Sequence, residues 1–119
     1  MNSYKDLIVW QKSMQLAQEV YKLTESFPKT EIYGISNQLR RASVSVISNI
    51  AEGFSGKSLK ENTQFISIAF GSTSELETQL LLAKDLSFAH ESNFYKAEEL
   101  LLEVRKMLNS LFSKLKSKS

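Results

Sequence analysis

The stretch Gln38–Gly53, QLRRASVSVISNIAEG, admits two foldings, and the rest of the chain must follow whichever it takes. As a strand, Val44 and Val46 alternate with Ser43 and Ser45. The AEGFSGKS behind them approximates the phosphate-cradling pattern G-x-x-x-x-G-K-[ST], with Ala51 where the first glycine belongs. As a helix, Leu39, Ala42, Val46, Ile50 and Gly53 share one face at spacings of three and four. A phosphate loop needs a buried strand before it, a parallel sheet around it and an acidic residue on a second strand for magnesium. No other segment alternates with period two, and 119 residues is short for such a sheet. Ser58 is also better used as a helix cap. The helical reading follows, and with it an all-α chain.

One proline and four glycines leave few places to break a helix. Asp6 is a candidate N-cap for a helix over about 7–27, with apolar seams Val9, Leu16, Val20, Leu23, Phe27 and Trp10, Met14, Ala17, Tyr21. Pro28 stops it. A second helix spans about 33–52 and ends at Gly53, which suits the left-handed position after a helix. Ser58-Leu59-Lys60-Glu61 is a capping box for a third helix over about 59–86. Gly71 and Ser72 inside it cost helix propensity, which a close helix–helix approach would be a reason to tolerate. Ser92 caps a fourth helix over about 93–116, with Leu101, Val104, Leu108, Leu111 and Leu115 on one face and a loosening tail, KLKSKS. Short connections force antiparallel neighbours, so residues 1–119 make a single antiparallel up-down-up-down four-helix bundle.

Few chemistries remain open. With no cysteine there is neither a disulfide nor a thiolate. The single histidine, His90, lacks the Glu-x-x-His spacing of a bundle di-metal site, and Ser45 and Ser48 lack a base. The expectation is no enzyme, no cofactor, no metal and no small-molecule substrate. No apolar run is long enough to span a bilayer and no targeting segment is visible, which points to a cytoplasmic protein.

Charge supplies the remaining signals. A formal charge of +2 is too small to argue for nucleic acid alone, but Arg105, Lys106, Lys114, Lys116 and Lys118 follow the last acid, Glu103. With Arg40, Arg41, Lys57 and Lys60, Arg105, Lys106 and Lys114 are the candidate nucleic-acid contacts. Arg40 and Arg41 also have a structural reading. Folding the chain about Lys29 brings Arg40 near Glu19, and folding about His90 brings Glu75 near Arg105. Glu19, Asn49, Glu52 and Glu75 then form a polar network between helices, with the Trp10 indole near Asn49.

The order of motifs resembles the bacterial four helix bundle protein family, also called 23S rRNA-intervening sequence proteins. Carrying the resemblance are D-L-x-V-W-Q at Asp6–Gln11, F-P-x-x-E-x-Y-G at Phe27–Gly34, Q-L-R-R at Gln38–Arg41 and S-N-I-A-E-G at Ser48–Gly53. Lys60-Glu61 and G-S-x-x-E-L-E-T-Q-L at Gly71–Leu80 follow in sequence. Two departures stand out: Ile47 occupies a place where the family usually has proline, and Ser55-Gly56 one where members often carry Gly-Arg. The resemblance implies a homo-oligomer, specifically a pentamer, with no established enzymatic activity. A distantly similar bundle, the accessory protein of diversity-generating retroelements, is a pentamer that binds nucleic acid and a reverse transcriptase. The expected function is therefore a homo-oligomeric scaffold or adaptor that binds RNA, DNA or a protein handling them. The alternative is a protein-interaction module without nucleic acid.

Overall fold

The computed structural model of the chain describes residues 3–118. Four helices follow one another: α1 Ile8–Glu25, α2 Ile35–Ser55, α3 Leu59–Asp85 and α4 Tyr95–Ser117, with short 3-10 turns at Tyr4–Asp6, Lys29–Glu31 and Glu91–Phe94. Each packs on its sequence neighbours and α1 closes against α4, giving an antiparallel bundle of 45 × 22 × 22 Å. Ser43–Ile50 is helical throughout, and α2 runs unbroken through Ile47. The strand and phosphate-loop alternative is thereby excluded.

The core is the set of helical faces legible in the sequence. Leu16, Val20, Leu39, Val46, Ile50, Leu76, Leu80, Phe94, Val104 and Leu108 are all essentially sealed from solvent. Each such burial is worth about 1.5–3 kcal/mol, and this is the main force holding the four rods together. At the end where α1 meets α2, Phe27 stacks obliquely on Phe88 and Phe94, with ring centroids 5.7 and 5.9 Å away. The second seam of α1 is only partly covered: Ala17 is buried, Trp10 and Met14 are half-buried and Tyr21 is exposed.

Helix ends differ from expectation in instructive ways. Asp6 does not cap α1. Ser3 starts a tighter turn upstream by accepting from the Lys5 N–H at 3.1 Å, which leaves Leu7 as the extended residue before the helix. Helix α1 ends at Glu25 because Ser26 and Phe27 already turn towards Pro28. Gly53 does not end α2, which continues to Ser55. Gly53 is buried within the helix, where an added Cβ would lie 2.7 Å from Ile66 Cδ1 and 3.3 Å from the Asn62 carbonyl oxygen. The close approach is thus at Gly53, while Gly71, with nothing within 4 Å, faces open space.

The capping box at Ser58 forms, with the Glu61 N–H donating to Ser58 Oγ at 3.1 Å. The Glu61 carboxylate reaches one residue further back than the box requires, accepting from the Lys57 N–H at 3.2 Å. Helix α3 ends in a Schellman motif, Phe88 N–H to Ala83 O and Ser87 N–H to Lys84 O, with Ser87 left-handed at φ 58°. Ser92 does not cap α4. His90 Nδ1 accepts from the Ser92 N–H at 3.2 Å, capping a 3-10 turn that leads into α4. Helix α4 then holds through Ser117 rather than loosening over KLKSKS, the last residue of which lies outside the described residues.

Two arginines fasten the two helical hairpins by the same device. On α1, the Thr24 hydroxyl donates back to the Val20 carbonyl at 2.8 Å and accepts from Arg40 Nε of α2 at 2.8 Å. The Arg40 guanidinium also lies 4.8 Å from the Tyr21 ring centroid. On α3, the Thr73 hydroxyl donates to the Phe70 carbonyl and accepts from Arg105 Nη1 of α4 at 3.0 Å. The Arg105 guanidinium lies 4.7 Å from the Phe70 ring. In both hairpins an aromatic residue and a threonine three positions on make the seat.

Candidate nucleic-acid interface

Antiparallel order gathers the C-terminal ends of α2 and α4, the N-terminal end of α3 and Leu7 at one end of the bundle, where Leu7, Phe54, Asn62, Leu111 and Leu115 line a common hollow. Lys57, Lys60 and Lys114 are exposed there, and Lys116 faces Lys60 across the groove between α3 and α4. No ion pair engages Lys57, Lys60 or Lys114 among the described residues, while the Glu61 carboxylate beside them accepts from the Lys57 backbone N–H at 3.2 Å. Other side chains make the pairs Lys12–Glu103, Lys84–Glu98, Lys96–Glu19 and Arg105–Glu77. Cations whose neighbours do not neutralise them are the ones available to phosphate.

The other candidate contacts separate. Arg41 and Lys106 are exposed on α2 and α4, away from the turn that carries Lys57. Arg40 and Arg105 are half-buried in the clasps just described, so their donors are engaged inside the molecule.

Neither ion pair expected from the sequence, Arg40 with Glu19 or Arg105 with Glu75, forms. Arg40 meets Tyr21 and Thr24, about a turn beyond Glu19, and Glu19 instead pairs with Lys96 at 3.4 Å. Arg105 reaches Thr73, Ser74 and, at 3.9 Å, Glu77. Glu75 lies on the other side of α3, where it accepts from Gln79 Nε2 at 3.2 Å.

The polar side chains form separate patches, not one network. Ser45 and Ser72 hydroxyls meet at 2.8 Å across α2 and α3, and Asn49 Nδ2 donates to the Ser45 carbonyl at 2.8 Å. Glu52 is exposed. Trp10 stands edge-on to Tyr4, centroids 5.5 Å apart, with no hydrogen bond to Asn49 among the described residues.

Between the first half of α3 and the last half of α4 runs a cleft of about 760 Å³. Its lining includes Lys60 and Lys116, the polar Thr63, Gln64 and Ser67, and apolar Leu59, Ile68 and Phe112. Lys60 and Lys116 are legible in the sequence as cations, but the cleft is not. Its signal was the exposed Ile68 on a helix whose apolar face already lies elsewhere. His90 is engaged with Ser92 in the turn before α4. Among the described residues no group of three or more His, Asp or Glu is placed to hold a metal ion, and no helix is long and apolar enough to cross a membrane.

A four-helix bundle with a lysine-rich end and a cleft beside it is the class of protein that this geometry defines. The sequence model of the 23S rRNA-intervening sequence protein family matches residues 5–110, and the chain belongs to that family. A crystal structure from Bacteroides thetaiotaomicron, described as a protein with unknown function from the S23 ribosomal protein family, has the same fold. Its TM-score is 0.82 at 21% identity, covering 89% of this chain and 96% of that one. No curated protein matches the chain in sequence.

Proposed function

We propose that this chain is a non-enzymatic, homo-oligomeric helical scaffold of the cytoplasm whose lysine end holds RNA, DNA or a protein that handles them. The observation that carries the reading is the collection of Lys57, Lys60 and Lys114 at one end without paired carboxylates. Repeating that end around an assembly multiplies phosphate contacts on one ligand through effective concentration. Self-association is supported by exposed apolar side chains on two opposite faces. Tyr21 and Val44 lie over the α1–α2 groove, and Leu81 and Leu102 over the α3–α4 groove. Patches on different faces let each copy meet two neighbours, as a closed ring requires. Five copies is the number the family resemblance implies. The reading includes no cofactor, no small-molecule substrate and no membrane.

Light scattering after size exclusion tests the scaffold: a stable multimer is expected, and a monomer at micromolar concentration refutes it. Titration with RNA and DNA tests the ligand. Affinity should fall steeply as salt rises, and salt-independent or absent binding retires the nucleic-acid clause. The competing reading, an accessory module that receives a partner helix, draws on the exposed Leu81, Leu82 and Leu102. Monomeric protein with one stoichiometric protein partner would favour it.

A further inference from the structure

We infer that the cleft between α3 and α4 is a seat for single-stranded nucleic acid, a refinement that rests on the nucleic-acid reading above. Three properties of the lining converge on that ligand. Lys60 is exposed with no ion pair, Lys116 stands on the facing helix, and no carboxylate is among the lining residues, so Lys60 offers the cleft a cation for a phosphodiester chain. The floor of Leu59, Ile68 and Phe112 offers apolar contact, and Ile68 keeps 46% of its surface open to a ligand. Thr63, Gln64 and Ser67 add hydroxyl and amide groups to the same lining, able to meet the polar edges of a base; the Thr63 hydroxyl donates to the Leu59 carbonyl at 2.8 Å and keeps its acceptor capacity.

A nucleotide in a single strand presents the matching trio of phosphate, polar edge and flat apolar face. In a duplex the base faces are stacked on one another and cannot reach the floor, so a duplex uses only the lysines. An amphipathic helix seeks a continuous apolar seam. Here the seam is cut beyond Ile68, where Arg105 spans from α4 to Ser74 at 2.9 Å and to Glu77 at 3.9 Å. The cleft is therefore short, polar-edged and cationic, which suits a few nucleotides better than a protein helix.

The test is fluorescence anisotropy on the full chain with labelled oligo-U, oligo-dT and a mixed-sequence DNA duplex of equal length. Tighter binding of either single strand than of the duplex is expected. Lys60→Gln should weaken single-strand binding several-fold and reduce the slope of log affinity against log salt by about 0.7, the value of one phosphate contact on a single strand. Ile68→Ser, an exposed change that spares the core, should weaken single strands by roughly fivefold or more and leave the duplex unmoved. Lys29→Gln, at the opposite end, serves as the control for bulk charge. Equal binding of strand and duplex with Ile68→Ser silent overturns the inference while leaving the nucleic-acid reading intact. Failure of every oligonucleotide to bind removes both. Polyglutamate competing as well as oligo-U, residue for residue, would show attraction by charge alone and overturn it too.

Discussion

Two mid-helix glycines should respond in opposite directions to the same substitution. Alanine is favoured over glycine in a helix interior by about 1 kcal/mol. Gly71→Ala adds a methyl to open space, so it should gain about that much. Gly53→Ala gains the same propensity, but its Cβ would lie 2.7 Å from Ile66 Cδ1, 3.0 Å from Ile66 Cγ1 and 3.3 Å from the Asn62 carbonyl. Ile66 is 2% exposed, and the carbonyl belongs to the backbone of α3, so neither can simply swing away. Overpacking of that kind costs about 1–3 kcal/mol. Propensity cancels between the two variants, leaving Gly53→Ala below Gly71→Ala by about 1–3 kcal/mol and at or below wild type by up to ~2. For a chain this size 1 kcal/mol moves Tm by roughly 4 °C. Urea unfolding of the three proteins at one fixed protein concentration reads the difference, the fixed concentration removing any mass-action shift. Equal gains from both alanines would show that α2 and α3 are not in close contact at Gly53.

The two arginine clasps should behave as independent units: Arg40→Ala and Arg105→Ala each cost about 1–3 kcal/mol, and the double variant the sum, measured by the same unfolding curves. A lysine at either place should restore little, since it cannot both lie flat on the ring and reach the threonine. Ser58→Ala removes the α3 cap and should lose about 1 kcal/mol, whereas Ser87→Gly relieves a left-handed serine and should gain about 1, both read as shifts in Tm. At high pH, the hydrogen bond that Lys84 donates to Glu98 holds the lysine's pKa above its ordinary value of 10.5, opposed by burial and aided by the Glu98 charge. A pKa raised by folding means stabilisation present below the unfolded value and lost as pH rises through the folded one. Wild type should therefore lose Tm faster than Glu98→Gln as pH passes above 10.5, and parallel curves would contradict the assignment.

The number, order and buried faces of the helices were legible because apolar spacing at three and four is imposed by burial itself. The Ser58 cap was legible for a related reason, being local in sequence. What sequence spacing could not resolve was which way a side chain points at a given depth. Glu75 and Glu77 lie at nearly the same height on α3, yet one turns to Gln79 and the other to Arg105. Arg40 had Glu19 within about a turn, but the tyrosine face and threonine hydroxyl a turn further on hold it instead. Gly53 looked like a terminator because glycine commonly ends helices, while its role here depends on Ile66 of another helix, which no local pattern encodes. Likewise the cleft exists only once α4 lies beside α3, so its lysines could be named without their setting.

The antiparallel arrangement also brings Tyr4 and Ser117, near the two described ends of the chain, to the bundle end that carries Lys57 and Lys60. A purification handle fused to either terminus would therefore hang over the same surface. An acidic or histidine-rich handle could occupy it and imitate or mask a ligand, so grafting the handle into the Lys29–Tyr33 loop at the far pole, where Tyr33 is 94% exposed, leaves that surface bare.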